Sequence, residues 1–316
     1  MWMRNCGVLL GTRTESFLLL EVNQKRSLYG NTKVRGFAHA HALDNELSQL
    51  CMASEHKRTI RCVAWSPCGN YILSASHTSE VKSAAWSASG RYITSCGRDK
   101  SVWVWEFDDE EDASCASVLQ LHKSDVKCVT WHDTEEVFAS CGFDGLIKLY
   151  NEQLDDWCEA AFLDGHEGTV WSIQFQPHNP SLLLASAGDD CSLRIWSSPL
   201  RYGEDNFWNQ YTCVRKLNDL HSLSIFSLSW SPCGRLLASA SADNSFALSS
   251  VEQTKGSSEQ GQMVQCETLH RHLAAHDQDV NCVAFRPQTE SNKFLLTTLS
   301  DDLTIKFWTV LDPSLS

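Results

Sequence analysis

Ser95-Cys-Gly-Arg-Asp-Lys-Ser-Val-Trp-Val-Trp105 decides how the rest of the chain is read. A pair of small residues leads into a charged tight turn. The turn leads into a strand that carries Val102 and Val104 on one side, Trp103 and Trp105 on the other. Neither side is polar, so this strand is expected to be buried on both faces. Asp99 sits in the turn, with Ser95 four residues before it and Trp105 six after.

The same skeleton recurs along the chain. Asp144, Asp190 and Asp302 stand six residues before Tyr150, Trp196 and Trp308, and four after Ser140, Ser186 and Thr298. Upstream, His56, His77, His122, His166, His221 and His276 each precede an aromatic by nine residues: Trp65, Trp86, Trp131, Phe175, Trp230 and Phe285. Each histidine also precedes a β-branched residue by four: Ile60, Val81, Val126, Val170, Ile225 and Val280. Internal repeats of this length mean a stacked or radial architecture. The pattern resembles the WD40 repeat, in which four antiparallel strands form one blade of an all-β propeller. The terminal Trp-Asp is absent; the equivalents are Trp105-Glu106, Tyr150-Asn151, Trp196-Ser197 and Trp308-Thr309.

The spacing exposes two irregularities. The first-strand aromatics lie 45, 44, 55 and 55 residues apart from Trp86 onward, but Trp65 and Trp86 are only 21 apart. The outer two strands of that blade are therefore expected to be missing after Ser76, as a skipped exon, a faulty gene model or a short isoform would leave them. In the blade of His221, Ser249 stands where the aromatic belongs, so its third strand, 245–250, is expected to pack poorly. Residues 256–261 read as a Ser/Gly/Gln loop.

Residues 1–55 read as a degenerate first blade. Its first strand would be 17–22 and its third 31–37, and 7–11 would supply the outer strand of the last blade and close the ring. The expectation is a single propeller over 1–316 with recognisable repeats at 56–310. It has seven blades, one truncated and one degraded, with six as the alternative.

Composition narrows the function. The chain has 316 residues, 42% of them apolar, and a net charge of −13. That balance argues against a nucleic-acid partner, because phosphate contacts need a basic surface. No apolar run is long enough to span a membrane, and Arg13 and Glu15 interrupt the N-terminal apolar patches, which make a poor signal peptide. Fourteen cysteines invite a metal or disulfide reading. No Cys-x-x-Cys pair occurs, and many of them keep register with the repeat. They read as small buried residues in a reducing compartment, with no metal and no cofactor.

His166, Ser186 and Asp190, like His122, Ser140 and Asp144, have the makings of a hydrolase triad. An enzyme, however, needs one activated nucleophile in one cleft, and here the trio recurs blade after blade. The expected role is structural: hydrogen-bonded chains through His77, Ser95, Asp99 and Trp105; His166, Ser186, Asp190 and Trp196; and His276, Thr298, Asp302 and Trp308. No catalytic residue is assigned.

Function in a propeller lives on a face. The position after each β-branched residue should lie near the channel mouth: Arg61, Lys82, Lys127, Trp171, Phe226 and Asn281. The residue before each turn aspartate belongs to the same face: Arg98, Phe143, Asp189, Ala242 and Asp301. Cations on consecutive blades give way to aromatics on the next. Arg98, Arg61, Lys82, Lys127, Phe143, Trp171 and Phe226 are the candidate binding residues. They suit a peptide with an aromatic side chain beside a carboxylate. The acidic run 108–112 and the pair 155–156 should lie on the opposite face or the rim.

Four stretches carry a closer likeness: Val-Ala-Trp-Ser-Pro-Cys-Gly-Asn (63–70), Cys-Gly-Arg-Asp-Lys-Ser-Val-Trp-Val-Trp (96–105), Gly-His-Glu-Gly-Thr-Val-Trp-Ser (165–172) and His-Asp-Gln-Asp-Val-Asn-Cys-Val-Ala-Phe (276–285). They resemble the WD40 subunit of the cytosolic iron–sulfur protein assembly machinery. The resemblance implies a non-catalytic cytoplasmic adaptor, with the nucleus as a second compartment. Its partners would be a HEAT-repeat scaffold, a small partner subunit and the apo client proteins that receive [4Fe–4S] clusters. It also implies that Arg98 matches a functionally important arginine of the family. A Leu-Tyr-Arg motif that the family can carry reads Leu149-Tyr150-Asn151 here. The alternative is a generic WD40 peptide reader of the ubiquitin-ligase or chromatin type.

Overall fold

The computed structural model describes residues 7–10, 15–21, 38–40, 47–49, 61–68, 71–77, 81–107, 113–154, 156–179, 182–198, 200, 202–204, 207–254, 263–287 and 293–311. The chain order begins with β1 (Gly7–Leu10), β2 (Glu15–Glu21), β3 (Ala38–Ala40) and β4 (Leu47–Gln49). Next come β5 (Cys62–Trp65), β6 (Tyr71–His77), β7 (Val81–Trp86), β8 (Tyr92–Gly97), β9 (Val102–Phe107) and β10 (Ala113–Leu119). Two regular units follow. The first is β11 (Val126–Trp131), β12 (Val137–Gly142), β13 (Ile147–Gln153) and β14 (Asp156–Leu163). The second is β15 (Val170–Phe175), β16 (Leu184–Gly188), β17 (Leu193–Ser197) and β18 (Thr212–Leu217). The chain closes with β19 (Ile225–Trp230), β20 (Leu236–Ser241), β21 (Phe246–Thr254), β22 (Met263–His272), β23 (Val280–Phe285), β24 (Lys293–Ser300) and β25 (Ile305–Leu311).

These strands make six blades. Blade 1 has the order β1-β2-β6-β5, and blades 2 to 5 run β7–β10, β11–β14, β15–β18 and β19–β22. Blade 6 has three strands, β23–β25, and β3 pairs only with β4. The inner strands pack in series, β5 on β7, β7 on β11, β11 on β15, β15 on β19 and β19 on β23. The second strands of blades 2 to 5, β8, β12, β16 and β20, are buried along their whole length because each of those sheets is sandwiched between neighbours. The deepest core lies between blades 3 and 4, where Ile147, Leu149, Val170, Ile173, Leu182 and Leu184 are wholly buried. In β9, Val102, Val104 and Trp105 are buried and Trp103 is half-buried, close to the expectation.

Three expectations are corrected. The outer half of blade 1 is filled: β2 pairs with β6 from Glu15↔His77 to Glu21↔Tyr71, and β1 pairs with β2. A strand edge left by the short chain is a backbone template, and this distant segment satisfies it. Consequently 17–22 is not the first strand of a blade of its own, and 7–11 does not pair with the last blade, whose outer strand is absent among the described residues. The strand 245–250 is also not poorly packed. β21 runs for nine residues, with Phe246, Ala247, Leu248 and Val251 buried. Residues 31–37, 108–112, 155 and 256–261 lie outside the described residues.

The cysteines are corrected in part. Among those described, Cys96, Cys141 and Cys266 are buried, but five are half-buried and Cys68, Cys115, Cys213 and Cys233 are exposed. All twelve are free thiols. Those in register with inner strands do more than fill space. Cys62 Sγ accepts a hydrogen bond from the amide of Ala84 at 3.3 Å, one blade on. Ser83, Ser172 and Ser227, at the same register position, accept from the amides of Val129, Leu228 and Val283 at 3.4, 3.1 and 3.2 Å. A small hydrogen-bonding side chain at this position ties each inner strand to the next.

Candidate functional site

The His/Asp/Ser trios form closed networks inside the blades. His122 Nδ1 meets Asp144 at 3.0 Å, its Nε2 meets Ser140 Oγ at 2.8 Å, and Ser140 Oγ meets the Tyr150 hydroxyl at 3.0 Å. His166 pairs with Asp190 at 3.0 Å and Ser186 at 2.7 Å, and the Trp196 indole donates to Ser186 Oγ at 2.8 Å. His276 pairs with Asp302 at 2.9 Å and Thr298 at 2.8 Å, and Trp308 donates to Thr298 at 2.9 Å. In blade 2, Trp105 donates to Ser95 at 3.4 Å and Asp99 accepts from the Ser101 amide at 3.1 Å. The His77 side chain lies outside the described residues.

The four histidines seen in these networks, including His221, are buried, and the serine or threonine oxygen that meets each Nε2 is engaged in a hydrogen bond. Burial by itself would raise the carboxyls. Hydrogen bonds from the histidines, the turn amides and nearby hydroxyls outweigh it and hold Asp144, Asp190, Asp243 and Asp302 below the usual carboxylate range. A hydroxyl locked between an imidazole and an indole is a strut tying a turn to a strand.

The other candidate residues are placed by a repeated defect. Each inner strand β7, β11, β15, β19 and β23 has a β-bulge after its first residue. The unpaired residues are Lys82, Lys127, Trp171, Phe226 and Asn281. A bulge re-aims a side chain out of the pleat, and here it turns each one toward the neighbouring turn. The backbone fixes that proximity. The amides of Phe143, Asp189, Ala242 and Asp301 donate to the carbonyls of Asp125, Thr169, Ser224 and Asp279, at 2.8, 2.9, 3.0 and 3.1 Å. The sequence places both sets on one face by strand alternation; the physical cause is the bulge.

On this face Lys127 Nζ lies 5.0 Å from the Trp171 ring centre and 5.6 Å from that of Phe143. Trp171 meets Phe226 edge to face at 5.6 Å and donates its indole N–H to Asp189 at 2.5 Å. Burial opposes ionisation of Asp189, but this bond and those from Thr169 hold its carboxyl low. Lys127 also reaches Asp125 at 3.5 Å. Lys127, Phe143, Trp171 and Phe226 therefore form one patch, and the ammonium is held by two rings and a carboxylate. Spacing places Asp189 on this face but not among the candidate binding residues, and reading for cations and aromatics passes over Asp125. Asp125 stood one place before a β-branched residue, a position not examined for charge.

Phe143 is 60% exposed, so the patch opens outward. Arg98 is exposed in the turn between β8 and β9, the position that Phe143 holds in blade 3. Lys82 is half-buried at the bulge of blade 2, and Arg61 is exposed just before β5. Among the described residues, no group of three or more His, Cys, Asp or Glu side chains is placed to hold a metal ion. No helix among them is long and apolar enough to cross a membrane.

Residues 48–77, 75–106, 113–151, 157–197, 211–248 and 267–309 match the family described as WD domain, G-beta repeat. The first two matches overlap, as the short spacing from Trp65 to Trp86 requires. The chain is 41% identical over 303 residues to the probable cytosolic iron-sulfur protein assembly protein CIAO1 homolog of Schistosoma japonicum, covering 83% of this chain and 85% of that one. It is 31% identical over 294 residues to the probable cytosolic iron-sulfur protein assembly protein 1 of Candida albicans, covering 84% and 68%. A probable cytosolic iron-sulfur protein assembly protein Ciao1 of Aedes aegypti is 38% identical over 172 residues, covering 51% and 47%.

Proposed function

We propose that this chain, which belongs to the WD40 repeat family and to its cytosolic iron–sulfur protein assembly branch, is a non-catalytic adaptor that presents apo client proteins for [4Fe–4S] insertion. The observation that carries this reading is identity of 41% over 83% of the chain to a relative named for that pathway. The printed names of the relatives place the work in the cytosol. The cluster is cargo delivered to the client, in keeping with cysteines that serve strands and turns.

The adaptor is a single propeller over the whole chain that works with a HEAT-repeat scaffold and a small partner subunit. Clients dock on the face of bulges and turns. Arg98 there pairs with a carboxylate, and the rings of Phe143, Trp171 and Phe226 receive an aromatic side chain. Arg61, Lys82 and Lys127 extend the basic side of that groove. The carboxylates of Asp125 and Asp189 brace Lys127 and Trp171, and so preorganise the patch. The closed His/Asp/Ser networks support the non-catalytic reading, because none has a hydroxyl left to attack a substrate.

Affinity capture followed by identification of partners tests the assignment. Recovery of the scaffold and iron–sulfur clients is expected. Recovery of ubiquitin-ligase or chromatin subunits without them would establish the peptide-reader alternative instead. For the face, Arg98→Glu should weaken client capture and leave the circular dichroism spectrum unchanged. Full capture by that variant would remove Arg98 from the site.

A further inference from the structure

The first residue of β5 and the third residue of each other inner strand hold one register position and face a partner on the neighbouring strand. The pairs are Cys62↔Ala75, Ser83↔Cys96, Cys128↔Cys141, Ser172↔Ala187, Ser227↔Ala240 and Cys282↔Leu299. Among these pairs, that of blade 3 sets two thiols opposite each other. Both point into the core shared with blade 4, where Cys141 is wholly buried and Cys128 packs half-buried against the same cluster. Cys128 Sγ donates to the carbonyls of Val129 and Ile173, at 3.8 and 3.9 Å. Cys141 Sγ also reaches the Val170 carbonyl at 3.3 Å.

Directly opposed residues of an antiparallel pair have Cα atoms about 4.5–5.5 Å apart. A disulfide spans about 4.4–6.8 Å between Cα atoms. Its Cβ atoms, however, must come within about 3.5–4.5 Å, closer than the usual cross-strand separation of about 4.5–5.5 Å. A bond here would form with little backbone movement and under some tension, which marks a labile disulfide rather than a structural one.

We propose that Cys128 and Cys141 are a redox site, oxidised by a small hydroperoxide to a cross-strand disulfide and restored by thiols. The Cys128 thiolate attacks one peroxide oxygen and the O–O bond breaks. The departing hydroxide takes up the proton that the Cys128 thiol gave up, and a sulfenic acid remains. The sulfur of Cys141, losing its proton, attacks the sulfenic sulfur, the S–O bond breaks, and hydroxyl and proton leave as water. Two thiols and one hydrogen peroxide yield one disulfide and two waters. The order of attack follows from the environment. Cys128 is only half-buried and its thiol is held below its ordinary value, whereas burial pushes the wholly buried Cys141 up.

The bond would also be felt at the surface. Cys128 follows Lys127, and Cys141 lies two residues before Phe143. Drawing the two sulfurs together shifts the strand ends that carry the cation and the ring. That consequence rests on the reading of the client face above; formation of the disulfide does not.

The full chain, treated with hydrogen peroxide, alkylated and digested with trypsin, gives a direct readout. Cleavage after Lys127 and Lys148 leaves both thiols in one peptide, 128–148. The peptide should lose two hydrogens and escape alkylation, and dithiothreitol should reverse both changes. Cys128→Ser, which installs the residue of blades 2, 4 and 5, should fold and abolish the loss. Cys141→Ser should instead leave a dimedone-reactive sulfenic acid on Cys128. Full alkylation of both thiols after the exposed Cys115 and Cys213 have oxidised would overturn the proposal. So would a bond from either thiol to a third cysteine. A disulfide that forms while client capture stays unchanged would overturn the link to the face alone, whereas the Arg98→Glu experiment judges the face itself.

Discussion

Blades 4 and 5 start from the same parts and solve the same problem differently. In blade 4, His166, Asp190 and Ser186 are completed by Trp196, 3% exposed, whose indole closes the network. In blade 5, His221 meets Asp243 at 3.2 Å and Ser239 at 2.8 Å, but the fourth member is Ser249. Its hydroxyl is buried without a hydrogen-bond partner. Blade 5 holds its strands together by length. β21 and β22 pair over nine and ten residues, against five and six for β17 and β18. Arg271 on β22 also reaches Asp243 at 2.7 Å. Blade 4 has an equivalent bond from Arg194 to Asp190 at 3.2 Å, so what offsets the loss of one aromatic anchor is the added backbone pairing.

The contrast can be broken at its strongest point. Trp196→Ala should cost about 3–5 kcal/mol, because it leaves a cavity in a packed core and removes the indole's hydrogen bond to Ser186. Urea denaturation measures it, and a loss near zero would show that the indole anchors nothing. Acid probes the shared carboxylates next. Asp190 has a folded value below its unfolded one, so its stabilisation is complete above about pH 4 and fades as pH falls further. Asp190→Asn should lower the melting temperature at neutral pH and flatten the decline in acid. An unchanged acid slope would remove Asp190 from that role.

Ser249→Ala should be neutral or raise stability by up to about 1 kcal/mol, since it deletes a buried hydroxyl that has no partner. A clear loss in the same denaturation assay would mean that the hydroxyl is satisfied. The smallest effect lies in the turn that both blades share. Cys191 and Asn244 occupy it with φ of 57° and 63°. Asparagine tolerates this left-handed region better than cysteine does. Transplanting it as Cys191→Asn should stabilise blade 4 by about 0.5 kcal/mol, readable as a small rise in melting temperature.

The repeat was legible because its signals are local and strict. Four residues from Ser186 to Asp190 and six more to Trp196 are enough to set a turn between two strands. The role of the trio followed from its recurrence. What could not be read was long-range choice. Nothing within Glu15–Glu21 says that it joins β6 rather than heading a blade of its own, because any apolar strand fits any open edge. Ser249 misled because a missing anchor looks like a weak strand, while the compensating length of β22 lies beyond a polar loop. Both halves of the face were found from spacing. The bulge that projects Lys127 and Trp171 leaves no mark in the local pattern, and the Asp125 brace of Lys127 went unseen.

Blade 1 has a consequence for the order in which the molecule is made. β1 and β2 leave the ribosome before the rest of their blade, and their acceptor β6 arrives about fifty residues after β2, so this sheet cannot finish as its earlier strands emerge. Each doubling of the intervening loop adds about 0.6 kcal/mol to the cost of closing it. Blades 2 to 5 are built from consecutive hairpins and can each zip as they appear. The β1–β2 hairpin therefore waits for a later strand, and in that interval chaperones have their opportunity to hold it.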